Sequence, residues 1–338
     1  MRYFLAVLVL LSHTGWAVGG GNPGVLAVVM FYATSGYVMF HLVQRHYLPK
    51  AQTWRFYGDR LMRIYPQYAL YALSGLTWWL LVGRETLFLQ HSPAWVDGIN
   101  NLLIVPLNFF MFNHADRWTL VPPAWSLGAE LCFYAMAPWL VRHWAWALRL
   151  AALSFLIQAS TWWGFLHSDW WGYRLLPGVL WVFVLGMWVA RQQVAGQVMG
   201  WGRMDRVHLT LSLLLIAMAV LAWQGRLMRP YHFEVLLGAS LTLVLLVHLT
   251  RPSATPHDAW SRWDQRLGNW SYGMFLNHFV LIWFMSWDET PMNWAQRGAL
   301  VVASTLFSAL TFHGLERPVL RCRRRWRGEA GQSPVGEN

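Results

Sequence analysis

Long apolar windows restrict the fold of this chain more than any other feature of its sequence. A stretch of roughly 20 mainly apolar residues is long enough to cross the hydrocarbon core of a bilayer as a helix. Such windows, some slightly shorter, lie at 3–18, 23–43, 64–83, 120–141, 144–165, 174–190, 208–223, 233–250, 269–286 and 295–314. The pattern predicts an all-α integral membrane protein with about ten transmembrane helices.

The composition agrees with a membrane-embedded chain. Charged residues make up 12% of the sequence, about half of the ~25% that is typical of soluble domains. The 25 tryptophans suit a protein with two membrane–water interfaces, where amphipathic rings collect. Because no polar stretch is long enough to form a soluble domain, we expect a single transmembrane domain over residues 1–318. Residues 319–338 are expected to form a basic, disordered cytoplasmic tail.

The distribution of Lys and Arg indicates the orientation of the chain. Most of the 26 basic residues fall in alternate loops, which predicts that both termini are cytoplasmic. The net charge of +11 is therefore interpreted as a topology signal and not as a nucleic-acid-binding surface. The arginine-rich tail is interpreted as an anchor that touches anionic lipid. Cys132 and Cys322 offer neither a disulfide framework nor a structural zinc site.

Two segments allow alternative interpretations. The apolar run that follows Arg2 resembles a signal peptide, but Ser12 and His13 interrupt it, so we expect a retained first helix. Residues 101–112 are apolar but short, which is typical of a re-entrant or interfacial segment.

Ionisable residues are predicted at membrane depth, where a charge costs roughly 2.5–3.5 kcal/mol or more and is usually paired or functional. Arg2 and His13 lie on one face of the first helix, about 16 Å apart along its axis. Glu130 and His278 fall near the depth of His13, in the fourth and ninth helices. A histidine and a carboxylate at one depth can act as a base and its orienting partner. The alternative is a buried hydrogen bond that only joins two helices.

A pair of arginines precedes the third helix. Arg60 and Arg63 are spaced i and i+3 on one helix face at the predicted cytoplasmic boundary. Such a fork suits a phosphate-bearing ligand, and the alternative is ordinary interface snorkelling. The second helix carries Thr34-Ser35-Gly36 at mid-depth, where small residues permit close packing of helices.

The predicted outer face carries aromatic residues among polar ones. Trp125 and Ser126 begin a helix there, and the long loop 84–119 adds amides, carboxylates and further aromatic rings. Such a surface can hold a sugar, although an interfacial aromatic belt explains the tryptophans equally well. No metal-ligand spacing, phosphate-binding loop or dinucleotide signature is present in the sequence.

Six short motifs follow one another along the chain. They are Arg2 with His13 at a spacing of eleven, Phe31-Tyr-Ala-Thr-Ser-Gly-Tyr37, Arg60-Leu-Met-Arg-Ile-Tyr-Pro-Gln-Tyr68, Trp125-Ser-Leu-Gly-Ala-Glu-Leu-Cys-Phe-Tyr134, Ser271-Tyr-Gly-Met-Phe-Leu-Asn-His278 and Glu316-Arg-Pro318. In this order they resemble the membrane-bound acyltransferase 3 family, the bacterial O-acetyltransferases of surface and secreted glycans. Phe275 stands where that family usually has Tyr.

The resemblance implies a multi-pass protein of the bacterial inner (plasma) membrane with an acyltransferase 3-like helix bundle. It implies a cytoplasmic acyl-CoA donor, acetyl-CoA by default, and a carbohydrate hydroxyl as the acceptor on the far side, without a metal. His13 is then the general base or an acyl carrier, oriented by Glu130, and Arg2 holds the donor. The other candidate residues are Arg60, Arg63, Ser35 and Tyr65 for the donor, and Trp125, Ser126, Tyr272, Asn277 and His278 for the acceptor.

Two other classes of function use the same buried charges. A transporter or flippase of an anionic lipid or glycan precursor is the alternative, but the sequence shows no inverted repeat or matched pair of broken helices. A membrane sensor or scaffold is the third. The sequence leaves the acceptor and the oligomeric state open.

Overall fold

The protein is described by a computed structural model that covers residues 1–195, 203–227, 230–249 and 259–327. These residues form helices and their connections, with isolated β-bridges only. The α-helices are α1 Arg2–His13, α2 Pro23–Leu42, α3 Thr53–Val82, α4 Trp95–Leu103, α5 Val105–Asn108, α6 Phe110–Asn113, α7 Ala124–Arg142, α8 Trp144–Trp162, α9 Leu176–Val194, α10 Arg203–Trp223, α11 His232–Leu249, α12 Ala259–Phe284, α13 Trp294–Thr311 and α14 Arg317–Arg327. The predicted all-α class is confirmed for the described part of the chain.

The apolar helices make this chain a membrane protein. Each predicted window overlaps one of the longer helices. Four continuous helical segments of the described residues are long and apolar enough to cross a bilayer, namely Pro23–Tyr47, Trp170–Val194, Arg206–Trp223 and Trp294–Arg327. The figure of about ten crossings stays a prediction.

The chain forms two compact units, and the single transmembrane domain over residues 1–318 stays a prediction. Unit 1 consists of Met1–Gly15, Trp54–Leu127 and Ser253–Asn338, and unit 2 of Trp16–Thr53 and Gly128–Pro252. The chain passes from one unit to the other within helices such as α7 or through short connections. Within α7, therefore, no polar linker in the sequence marks the boundary.

In unit 1, the first helix is shorter than the predicted window 3–18. Helix α1 packs against α12 and α13 and ends at His13. The hydroxyl of Thr14 donates to the carbonyl of Leu11 at 2.7 Å, and Gly15 follows at a φ of +80°. A residue in this left-handed region stops a helix, and glycine reaches it without strain. His13 therefore lies at a helix end, not in mid-helix.

Helices α4 to α6 return alongside α3 in unit 1. The hydroxyl of Tyr68 donates to the carbonyl of Asn101 at 2.6 Å. Helix α3 continues to Val82, which is about 21 Å further along its axis. The segment around 101–112 thus runs beside the middle of α3, as a re-entrant segment would.

In unit 2, helix α9 packs against α2, α8 and α11. Helices α2 and α9 approach closely because glycines face the opposite backbone. A Cβ on Gly36 would lie 1.9 Å from the carbonyl oxygen of Phe183, and one on Gly186 would lie 1.8 Å from that of Ala33. Gly36 therefore serves helix packing, while its neighbour Ser35 makes a polar contact described below.

The basic tail is folded where the structure describes it. Residues 319–327 belong to α14, whereas we predicted disorder from residue 319. Arginine is a good helix former, and buried Arg323 joins α14 to the start of α3. This contact supplies the tertiary stability that the local composition did not reveal. Residues 328–338 of the predicted tail lie outside the described residues.

Candidate active site

His13 is an exposed histidine backed by a buried one. Its Nδ1 lies 2.9 Å from Nε2 of His278, and the two rings stack with centroids 5.1 Å apart. Phe279 packs against both rings. His278 is fully buried on α12, whereas His13 is exposed at the end of α1. Of the two rings, His13 is the one that a substrate can reach.

The hydrogen bonds define which nitrogen of His13 is basic. Nδ1 of His278 lies 3.2 Å from the carbonyl oxygen of Met274, which can only accept. In neutral His278 the proton is therefore on Nδ1, and Nε2 is the acceptor. Nδ1 of His13 must then donate to that Nε2, which leaves the lone pair of His13 on its own Nε2. This arrangement gives the exposed ring a defined tautomer.

Glu130, the predicted partner of His13, belongs to unit 2. Its Oε1 accepts hydrogen bonds from the hydroxyls of Ser35 and Tyr134. The same two hydroxyls lie 3.3 Å apart. Ser35, which we predicted to bind the donor, thus helps to hold Glu130 instead. The pairing of Glu130 with His13 stays a prediction.

Arg2 lies at the opposite end of α1 from His13. A Cβ on Gly268 of α12 would be 3.4 Å from the Arg2 guanidinium, so this glycine leaves room for it. Arg63, Asp264 and Glu316 are the charged groups that act on Arg2 most strongly. Asp264 also accepts from the terminal amine of Met1 at 3.0 Å. A cluster of charged groups of both signs therefore surrounds the start of α1.

Arg63 is held between a carboxylate and an aromatic ring. It forms an ion pair with Glu316, and its guanidinium lies 4.7 Å from the ring centre of Tyr272. The Tyr272 hydroxyl donates to the carbonyl of Ile64 at 3.0 Å. These contacts place Tyr272 with the predicted donor residues, whereas we predicted that it binds the acceptor.

Asp59 organises a second group of arginines, which we call the Asp59 clasp: Asp59, Arg60, Arg323 and Arg327. Arg323 reaches both carboxylate oxygens at 3.2 Å, and Arg327 reaches them at 3.0 and 3.1 Å. Arg60 forms a third ion pair with the same carboxylate. Burial disfavours the charged form of Asp59, but Arg60, Arg327 and Arg323 together hold its pKa well below its usual range. The carboxylate is therefore ionised at every pH at which the protein would be assayed.

The remaining predicted residues have structural contacts. The amide of Asn277 is fully buried and bonds to Ser304 and Ser308 of α13. Its polar atoms thus join two helices, and we correct its assignment to the acceptor. The hydroxyl of buried Ser126 donates to the carbonyl of Pro123 at 3.0 Å, in the first turn of α7, beside half-buried Trp125.

Tyr65, predicted to bind the donor, faces the segment 101–112. Its hydroxyl donates to the carbonyl of Leu103 at 3.4 Å. From the sequence we predicted no role for Tyr134 and interpreted Arg323 and Arg327 as part of a lipid anchor, although the i, i+4 spacing of the two arginines places them on one helix face. Their partner Asp59 is far away in the sequence, so only the fold reveals the contact.

Comparisons with known proteins agree with the motifs. A family model described as an acyltransferase domain matches residues 1–313. A protein of Aquifex aeolicus (strain VF5), described as uncharacterized, is 30% identical over 183 residues, which are 52% of this chain and 76% of that protein. No solved structure matches the chain. Since the matched residues include His13, His278, Glu130 and the Arg60–Arg63 pair, the chain belongs to the acyltransferase 3 family.

Proposed function

We propose that this protein is a membrane O-acyltransferase that moves an acetyl group from cytoplasmic acetyl-CoA to a hydroxyl of an extracytoplasmic carbohydrate. The observation that carries the proposal is the exposed His13, whose Nδ1 lies 2.9 Å from Nε2 of buried His278. A histidine on an exposed helix end whose tautomer is fixed through Nδ1 has the form of a general base. The family supplies the class of reaction.

His13 acts on the acceptor in this scheme. The acceptor oxygen attacks the thioester carbonyl while Nε2 of His13 takes the hydroxyl proton. The tetrahedral intermediate then loses coenzyme A as a thiolate when the C–S bond breaks, and the imidazolium returns the proton to that thiolate. In a close variant, Nε2 itself carries the acetyl group between donor and acceptor. Both routes use the same nitrogen.

The donor is held at the other end of α1. Arg60 and Arg63 bind its phosphates at the cytoplasmic face, with Arg2 beside them. Helix α1 is about 18 Å long. A donor whose phosphates are bound at the start of α1 therefore reaches His13 only with its thioester arm. The bias of Lys and Arg toward alternate loops supports this orientation, with ten crossings of a bacterial inner membrane and both termini inside. The acceptor enters from the outer face, past Trp125 and the 84–119 loop.

Labelled acetyl-CoA tests the function and its sidedness. Inside-out vesicles from cells that produce the protein are expected to transfer label from acetyl-CoA to carbohydrate, because the donor site faces the medium. Sealed right-side-out vesicles should transfer label only after permeabilisation. Vesicles from cells without the protein are the control. Accumulation of label without a covalent product would contradict the proposal and favour transport.

A further inference from the structure

We propose that helix α14 forms part of the binding site for the phosphate groups of the acyl-CoA donor. The inference rests on the proposed function, which assigns the donor's phosphates to Arg60 and Arg63, with Arg2 beside them. Helix α14 spans Arg317–Arg327 and lies beyond residues 1–313, which the family model matches. Nothing in the family match therefore gives this helix a role.

Like charges converge in the Asp59 clasp. One carboxylate receives three guanidinium groups, of which two are bidentate. The side chains of Asp59, Arg60 and Arg323 are 0%, 7% and 6% exposed, so water screens them little. Like charges that converge in so dry a place repel one another. A further anion at this position would relieve that repulsion.

The Asp59 clasp adjoins the predicted donor residues through Glu316. Glu316 lies close enough to Arg63, Arg323 and Arg2 to act electrostatically on all three. In the described part of unit 1, five guanidinium groups thus gather around the carboxylates of Asp59 and Glu316. Planar guanidinium groups recognise phosphate in a bidentate way. The diphosphate and ribose phosphate of acyl-CoA provide several such groups on one molecule.

Helix α14 is held in a defined position against the start of α3. The indole Nε1 of Trp326 donates to the carbonyl of Arg55 at 2.9 Å. A Cβ on Gly58 would lie 3.2 Å from the Trp326 ring, so the two helices are in close contact. This contact fixes the rotation of α14 and directs Arg323 and Arg327 to Asp59. Arg321 and Arg325 are exposed on the same helix.

The exposed arginines provide a matched control for the experiment. The purified full-length protein is placed in nanodiscs of zwitterionic lipid, and the binding of labelled coenzyme A is measured at equilibrium. The pair Arg323→Ala and Arg327→Ala is compared with the pair Arg321→Ala and Arg325→Ala, which removes the same charge. We expect the first pair to weaken binding roughly tenfold to a hundredfold, as the loss of charged hydrogen bonds would. The control pair should change it less than about threefold.

Several outcomes are decisive. Equal losses in both pairs would show that only the net charge of α14 matters, and undiminished binding in the first pair would make the clasp purely structural. Either result overturns the inference. Equal affinity of the first pair for coenzyme A and dephospho-coenzyme A, where the wild type and the control pair prefer coenzyme A, would identify the ribose phosphate as the group that these arginines bind and would support the inference. If anionic lipid added to the nanodiscs displaces coenzyme A from the wild-type protein, the arginines bind lipid headgroups. That result would also overturn the inference.

Thermal unfolding of the same samples distinguishes a loss of binding from a loss of folding. Thermal unfolding shows whether the first pair is folded, and Arg323→Lys with Arg327→Lys keeps the charge if the alanine variants do not fold. Lysine lacks the bidentate geometry, so partial binding is expected. Because binding is measured without transfer, coenzyme A binding by a protein that transfers no acetyl group would contradict the proposed function and leave the role of α14 standing.

An independent observation concerns Gln67 on α3. Its side chain is 1% exposed, and neither its amide nitrogen nor its amide oxygen has a hydrogen-bond partner among the residues that the structure describes. Nearly all buried polar groups in proteins are hydrogen-bonded, and an amide without partners costs free energy at both atoms. The side chain therefore requires a ligand or water with both a donor and an acceptor.

The position of Gln67 indicates which ligand this is. It follows Arg60 and Arg63 by seven and four residues, so it lies within about 40° of them on the same helix face and one turn further into the apolar part of α3. In acyl-CoA, a flexible arm with two secondary amides joins the phosphates to the thioester. An amide of that arm offers one donor and one acceptor, which matches Gln67. We infer that Gln67 binds an amide of the donor's arm.

A donor without amides tests this assignment. Gln67→Met keeps the size of the side chain and removes both polar atoms. We expect the KM for acetyl-CoA to rise roughly tenfold, with unchanged kinetics for a short acetyl thioester that has no amide. Thermal stability should not fall, because an unsatisfied polar group is removed. Gln158→Met is the control, since buried Gln158 accepts from Trp181 in unit 2; it should lower stability without changing this KM.

An unchanged KM for acetyl-CoA in Gln67→Met would mean that water satisfies the amide, and it would overturn the assignment. An equal rise for both donors would do the same, because it would indicate a general distortion of the site.

Discussion

Replacement of His13 by alanine is expected to lower the rate of acetyl transfer by roughly a hundredfold to ten-thousandfold, the contribution of a positioned general base. The physical reason is that His13 presents Nε2 at an exposed helix end, while its Nδ1 is committed to His278. The measurement is label transferred from acetyl-CoA to carbohydrate in inside-out vesicles, normalised to the amount of protein. Coenzyme A binding should be unchanged, because the donor's phosphates bind at the other end of α1.

His143→Ala is the matched control for this experiment. His143 is also exposed near a helix end, where it packs against Trp139. It is far from His13 in the sequence. Its replacement should leave the rate within about twofold, as for most surface substitutions. Equal transfer by the His13 variant and the wild type would contradict the assignment of His13 as base and as acyl carrier. A labelled histidine adduct trapped by rapid quenching would select the acyl-carrier route.

From the apolar window 3–18 we placed His13 within the first helix, whereas α1 ends at His13, so Arg2 and His13 lie at its two ends. The depths of these residues in the membrane stay predictions. Glu130 and His278 were both expected near the level of His13. Depth is a single coordinate, so it cannot distinguish which of two groups shares a unit with His13. The fold provides that information by packing α12 against α1.

Contacts between distant segments account for the other differences. Arg323 and Arg327 bind Asp59 more than 260 residues away, so a local composition rich in arginine was interpreted as a disordered anchor. Asn277 adjoins His278 in the sequence, yet its amide points into α13 and the imidazole contacts His13. Adjacent helical residues differ by about 100° in direction, and a motif alone does not reveal which of them faces the substrate.

Removal of the acceptor nitrogen of His278 is expected to lower kcat by roughly a hundredfold or more, because His13 then has no partner on α12 to fix its tautomer. His278→Leu removes that nitrogen, whereas His278→Gln keeps an acceptor at nearly the same position and should recover most of the rate. The KM for acetyl-CoA should stay within about twofold in both variants, since a residue that only orients the base does not touch the donor's phosphates. Steady-state kinetics in inside-out vesicles measure both constants.

Two further variants distinguish orientation of the base from general damage to unit 1. Asn277→Leu removes the neighbouring amide, which bonds to Ser304 and Ser308, so it should lower thermal stability and leave kcat per folded molecule nearly unchanged. Glu130→Gln tests the partner that the sequence predicts. If its kcat falls as far as that of His278→Leu while His278→Gln gives no recovery, Glu130 and not His278 orients the base. A full recovery of kcat in His278→Gln, together with a smaller loss in Glu130→Gln, would show that His278 orients the base. The reason is that only the hydrogen-bonded chain from Met274 through His278 to His13 requires an acceptor at the position of Nε2 of His278.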